Sequence, residues 1–183
     1  MGSTKSRKRH STSRWTCTMI GDEPRVSIDY LADHPRFVLT VAKWVFDHWG
    51  KMYRMQSVEE QIGRLSERLN KDAFPIAFVA LVDGKPVGTA SLKLREMTTY
   101  PHLEHWLGTV YVDEKFRGHG IGTALVVWAT REAKRLGVET LYLHTPDKAS
   151  FYRRLGWEPI ERPVYFGMPV VVMRKVLRVV EEK

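Results

Sequence analysis

Arg117-Gly118-His119-Gly120-Ile121-Gly122 is the stretch whose residue types and spacing point most directly to chemistry. It follows an apolar run, Val110-Tyr111-Val112, and a short charged connector. It opens a segment in which Ile121, Leu125, Trp128, Ala129, Ala133 and Leu136 recur at helical spacing up to Gly137. The first N–H groups of a helix have no intrahelical partner and carry a partial positive charge. Glycines at that point leave the backbone open to close approach. A strand, a glycine loop and a helix start therefore make a seat for phosphate or pyrophosphate, and a phosphate-bearing cofactor is expected there.

Spacing narrows the choice of cofactor. A Walker loop ends in Gly-Lys-Ser/Thr, because the lysine and hydroxyl serve the phosphates and magnesium. Here Gly122 is followed by Thr123 with no lysine. A dinucleotide loop reads Gly-x-Gly-x-x-Gly and is served by an acidic residue about 20 positions on. This chain reads Gly-x-Gly-x-Gly, and its next apolar run, Leu141-Tyr142-Leu143, ends in His144.

A third pattern matches. Val112 with Arg117-Gly118-His119-Gly120-Ile121-Gly122 resembles the acetyl-CoA loop of the GNAT acetyltransferase superfamily. Downstream, Phe151-Tyr152-Arg153-Arg154-Leu155-Gly156-Trp157 resembles the same family's Phe-Tyr-x-x-Leu-Gly-Phe segment. The resemblance implies acetyl transfer from acetyl-CoA to a primary amine, with no metal. It implies that backbone N–H groups from Arg117 to Thr123 hold the pyrophosphate: Arg117, Gly118, His119, Gly120, Ile121, Gly122 and Thr123. It implies that Val110, Tyr111 and Val112 pair with the pantetheine arm, and that an N–H near Val110 polarises the thioester carbonyl. Tyr152 matches the family's general acid, which protonates the departing thiolate. Thr145 stands where many relatives carry asparagine, and Lys148 is within reach of a cofactor phosphate.

An incoming ammonium must lose a proton before it attacks. Many relatives carry a glutamate midway along the strand before the loop, but Trp106-Leu107-Gly108-Thr109 has no carboxylate. Glu104 and His105, at the start of that strand, are the candidate bases, acting through a water. Asp47 and His48 are weaker ones. The aromatic residues Trp44, Trp49, Tyr53, Trp106, Tyr165 and Phe166 fall on the acceptor side and could cage an amine. A small-molecule amine is the expected acceptor, with a peptide α-amine or lysine as the alternative. A catalytically silent acyl-CoA sensor is the rival from another class.

The elements that must position these residues follow from apolar periodicity. Val26 to Tyr30 is expected as a strand, and Asp33 as the cap of a helix carrying Val38, Val41, Ala42, Val45, Phe46 and Trp49. Ser57 and Glu60 form a capping box for a second helix. Ile76 to Val82 and Val87 to Leu94 flank Asp83-Gly84 as a hairpin. Trp106 to Val112, Leu141 to Leu143 and Val170 to Met173 are further strands, and Ala149, Tyr152 and Leu155 mark a short helix. This order predicts an α+β fold, a mixed and mostly antiparallel sheet flanked by helices, in one domain over residues 24–178.

Residues 1–23 read as a disordered basic arm and 179–183 as a tail. The arm contains Lys5, Arg7, Lys8, Arg9 and Arg14, and without those five the net charge falls from +8 to +3. The folded part is thus only mildly basic, and a nucleic-acid partner is not expected. The single cysteine, Cys17, rules out an internal disulfide and points to a reducing, cytoplasmic setting. No apolar run reaches the roughly 20 residues of a membrane span. The family resemblance allows a homodimer.

Overall fold

The computed structural model describes residues 15–16 and 26–177. Trp15–Thr16 (β1) and Val26–Tyr30 (β2) begin the sheet. Two 3-10 turns, Leu31–Asp33 and Pro35–Phe37, lead into Val38–Trp49 (α1) and then Val58–Ser66 (α2). Ile76–Val82 (β3) and Lys85–Lys93 (β4) form the hairpin, and Trp106–Val112 (β5) precedes the glycine loop. Ile121–Arg135 (α3), Thr140–Thr145 (β6) and Ala149–Arg154 (α4) follow. The chain closes through Glu158–Glu161 (β7), a small hairpin of Val164–Tyr165 (β8) and Met168–Pro169 (β9), and Val171–Val176 (β10).

The main sheet runs β1-β2-β3-β4-β5-β6-β10-β7, antiparallel at every step except β5 with β6. β3 is buried along its whole length, which is why its sequence is an unbroken apolar run rather than an alternating one. Its Ala77, Val79 and Leu81 pack under Val41, Ala42 and Val45 of α1 and Leu65 of α2. Its Ile76, Phe78 and Ala80 face the other way, into a core shared with Leu125, Trp128, Ala129 and Ala133 of α3. One strand thus holds the two helical layers together.

Local chemistry explains most of the boundaries. Ser57 caps α2, accepting the Glu60 N–H at 3.2 Å, while Glu60 accepts the Gln56 N–H at 2.9 Å. Asp33 is not a cap. Pro35 opens a separate 3-10 turn, α1 begins beyond it, and the Asp33 carboxylate pairs with Lys71 instead. The strands β1, β7, β8 and β9 are additions to the expected order. β7 is exposed along its length and contains Pro159, so it carries no apolar alternation to mark it. The expected arm and tail lie outside the described residues, apart from Trp15–Thr16, which pair with Ile28 and Ser27, and so do residues 24–25 and 178 of the expected domain.

Two irregularities set the geometry at the centre. β5 and β6 pair only at Trp106 and Tyr142, with the Tyr142 N–H donating to the His105 carbonyl at 2.9 Å, and then diverge. Trp106 is fully buried at the base of this V, its ring beside Tyr142 and its Nε1 donating to the Leu103 carbonyl. On the other edge of β5 the register with β4 shifts. Thr89 faces Tyr111 and Ser91 faces Gly108, so Thr109 and Val110 together oppose Ala90. This is a β-bulge, and Thr109 takes a left-handed φ of 56° to make it.

Close packing holds the bulge in place. Gly88, opposite Val112, lies where an added Cβ would sit 2.7 Å from the Tyr111 carbonyl oxygen and 3.2 Å from Leu125 of α3. The clashing oxygen is backbone and cannot rotate away. Gly88→Ala should therefore destabilise the fold by about 1–3 kcal/mol through overpacking. Thermal unfolding tests this, and an unchanged midpoint would contradict the stated crowding.

Candidate active site

A cleft of 1310 Å³ opens where β5 and β6 part. It extends from the start of α3, past Val110 and Tyr152, to Tyr53, Tyr165 and Phe166. One half is built from backbone donors. α3 has no side-chain cap, and its first internal bond is made by Ala124, whose N–H reaches the Gly120 carbonyl at 3.0 Å. The N–H groups of Ile121, Gly122 and Thr123 are left for a ligand. Gly118 and Gly120 have φ of 83° and 77°, a conformation that a side chain would strain, and a Cβ at either would meet no protein atom within 4 Å. These glycines serve the loop's shape and leave open space above it.

Arg117 locks the loop to the end of β5. Its Nε donates to the Val112 carbonyl at 3.0 Å and its Nη1 meets Glu114 at 3.2 Å. Val110, Tyr111 and Val112 line the cleft with Arg117, Gly118, Gly120, Ile121, Gly122 and Thr123. His119 does not line it; the ring is exposed and Nδ1 lies 3.3 Å from the Phe116 carbonyl. Thr145 and Lys148 line the opposite wall. The Thr145 hydroxyl accepts the Lys148 N–H at 3.0 Å, so it shapes the start of α4, and the Lys148 ammonium pairs with Asp147.

Tyr152 projects from α4 into the middle of the cleft, packed against Phe151 and Trp157. Burial, together with the Asp147 carboxylate, pushes its phenol well above the ordinary value of 10. His48 also lines the cleft, between Trp49 and Tyr111, and burial and the nearby Arg117 hold its imidazole below the usual range.

Of the candidate bases, His48 alone lines the cleft. Glu104 is exposed and bonded to Arg95 at 2.9 Å, and His105 rests against the Phe74 ring; neither lines the cleft. Asp47 does not line it either. The cleft instead contains Lys93, Glu96 and His144, which the sequence reading did not select. Lys93 Nζ lies 2.5 Å from Glu96, and His144 Nε2 lies 3.8 Å from the same carboxylate. Burial alone would raise the Glu96 carboxyl. Lys93 and His144 outweigh it and hold the group well below the carboxylate range. The pair sits over β5 because Gly108 has no side chain: a Cβ there would come 3.1 Å from Lys93 Nζ and 3.5 Å from Glu96. No local signal marked them: Gly108 pairs with Ser91, and Lys93 pairs with Trp106 two positions further along.

Residues 38–157 match the acetyltransferase (GNAT) family model, and the chain belongs to that family. It is 37% identical over 102 residues to an uncharacterised N-acetyltransferase of Methanocaldococcus jannaschii, a match covering 53% of this chain and 44% of that one. The chain spans about half the length of the first curated relatives it matches, 44% and 54%. Among solved structures, it resembles aminoglycoside 6'-acetyltransferase type Ii with a TM-score of 0.64 and 25% identity, over 81% of this chain and 96% of that one. It also resembles the ribosomal-protein-alanine N-acetyltransferase of Brucella melitensis with a TM-score of 0.62 and 27% identity, over 82% and 99%.

The left-handed loop gives a direct test. Gly120→Ala should cost about 1 kcal/mol in local strain and weaken coenzyme A binding as the N–H groups of α3 lose their setting. Calorimetric titration reads the affinity; wild-type affinity in the variant would show that the loop conformation does not matter for binding.

Proposed function

We propose that this chain is an acetyl-CoA-dependent N-acetyltransferase that acts on a small-molecule primary amine by direct attack within a ternary complex. The observation that carries this is the position of Tyr152 in a cleft whose two ends differ. One end offers the free N–H groups of α3, and the other is roofed by aromatic rings over charged side chains. Acetyl-CoA fits the first end: donors without partners, two glycines with open space above them, and an unpaired edge of β5. It supplies an acyl group activated as a thioester.

The chain's own groups account for the rest. The bulge at Thr109–Val110 frees the Val110 N–H to donate to a carbonyl oxygen as negative charge develops, a contact worth about 3 kcal/mol in comparable sites. Tyr152 holds a proton at Oη for the departing sulfur. The thiolate of a thiol with pKa near 8.5 is normally a weaker proton acceptor than a phenolate. Burial raises the proton affinity of both groups, which keeps the transfer from becoming prohibitive. His144 faces the acceptor and receives the proton that its ammonium must lose, with the Glu96 carboxylate 3.8 Å from its Nε2. The new bond joins the amine nitrogen to the acyl carbon as the carbon–sulfur bond breaks.

A small acceptor is favoured by the roof. Tyr53, from the segment between α1 and α2, meets Phe166 of the β8–β9 turn edge-on at 5.5 Å. Tyr165 lies 6.3 Å from Tyr53 and 5.5 Å from His144. These rings bridge the acceptor end, where an extended peptide would need an open groove. The likeness to an enzyme named for ribosomal-protein alanine supports the peptide reading as second choice. A panel of small amines and peptides, followed by thiol release from acetyl-CoA, separates the two. Release with peptides alone would overturn the small-amine reading. Binding of acetyl-CoA with no amine-dependent release would favour a silent sensor.

Tyr152→Phe should lower kcat by about 10²–10⁴-fold, the usual range for a lost proton donor, with acetyl-CoA affinity nearly retained. Unaltered turnover would remove the acid role. The pH profile offers an independent check. A phenol raised above 10 keeps its proton at lower pH and loses it only above the raised value. The rate with a saturating acceptor should therefore show no alkaline fall up to about pH 9.5. A fall that begins near pH 8 and vanishes in Tyr152→Phe would contradict this.

A further inference from the structure

The charges around the acceptor end do not suit a simple cation. Arg64, Arg68, Lys93 and Arg95 line it, and Glu96 is the carboxylate among them. Three of the four cations have partners: Arg64 with Glu60 at 2.6 Å, Arg95 with Glu104 at 2.9 Å and Lys93 with Glu96 at 2.5 Å. Arg68 makes no side-chain hydrogen bond or ion pair among the described residues. It is partly buried just beyond the end of α2, and a guanidinium stays charged in such a setting.

Its backbone is held on both sides. The Arg68 N–H donates to the Leu65 carbonyl at 2.9 Å, and the Arg68 carbonyl accepts the Ala77 N–H of β3 at 2.9 Å. The guanidinium is thus offered from a fixed point. A second group lining the same cleft is also unsatisfied. Gln61 is 2% exposed, lines the same wall, and its Nε2 has no hydrogen-bond partner. Gln61, Arg64 and Arg68 fall three, four and seven apart, which places them along one side of α2 and its continuation. That side presents donors and no acceptor charge.

We infer that the acceptor is an amine that also carries an anionic group, a carboxylate or a phosphate-type oxyanion, and that Arg68 with Gln61 binds that group. This rests on the acetyltransferase reading above. The anion compensates the unpaired guanidinium and accepts from the idle amide. The amine end is left beside Glu96 and His144, next to the cleft's middle. A neutral-tailed amine would bring a further cation beside Arg68, whose charge meets only the more distant carboxylates of Glu96 and Glu67.

Matched acceptors test this: phosphoethanolamine against ethanolamine, and β-alanine against propylamine. The anionic member of each pair should have a kcat/KM at least about tenfold higher, the effect of one charge-assisted contact. The ratio should fall towards one in Arg68→Gln and be largely kept in Arg68→Lys, with thermal midpoints showing both variants folded. A second readout is independent of turnover. Methyl phosphate, which has no amine, should bind the protein saturated with coenzyme A, and Arg68→Gln should lose that binding. Equal kcat/KM within the pairs, or a preference that survives Arg68→Gln, would overturn the inference. If no amine is acetylated but methyl phosphate binds through Arg68, the acetyltransferase reading fails while the anion site stands. If acetylation proceeds and methyl phosphate does not bind, the anion site fails alone.

Discussion

Everything in this molecule depends on one pair of strands that begins to pair and then stops. β5 and β6 share a parallel contact at Trp106 and Tyr142 and separate beyond it. Backbone groups deprived of a partner in a protein interior cost free energy unless water or a ligand satisfies them. The parted edge of β5 is therefore a standing demand for hydrogen bonds, and the adjacent start of α3 is a standing demand for negative charge. Buried Trp106 holds the base of the V shut, and the bulge at Thr109–Val110 turns the edge of β5 towards the opening. The cleft follows from the sheet's topology, and the loop and α4 furnish it.

The fold was largely legible because its signals are local. The α3 stripe, the Ser57 capping box and the unbroken apolar run of β3 each follow from periodicity or capping within a few residues. The glycine loop was legible for the same reason: its left-handed glycines and the uncapped start of α3 are set by its own residues. The bulge was not legible, since nothing in Gly108-Thr109-Val110 announces that Thr109 adopts a left-handed φ. β7 was missed because an exposed edge strand with a proline has no apolar face to read. Asp33 misled because its chemistry suits a cap while Pro35 starts a separate turn.

The acceptor half shows the limit of reading along the chain. Glu104 and His105 lie close to the glycine loop in sequence, yet the start of β5 carries them outside the cleft. Glu96 and Lys93 stand on the far side of a loop, and His144 stands on another strand; the sheet brings the first two over Gly108 and His144 within 3.8 Å of Glu96. Arg68 joins them from the end of α2. Their meeting is a property of strand order, to which no local pattern points. The carboxylate over β5 comes from the segment that follows β4, and the missing Gly108 side chain leaves room for it.

The central claim is that the free N–H groups at the start of α3 and at the bulge of β5 form one cofactor seat. Backbone amide NMR during titration with coenzyme A tests it most directly. The account predicts that the amides of Val110, Ile121, Gly122 and Thr123 shift together, on one saturation curve, and become protected from solvent exchange. Saturable binding that leaves these four amides unmoved would contradict it.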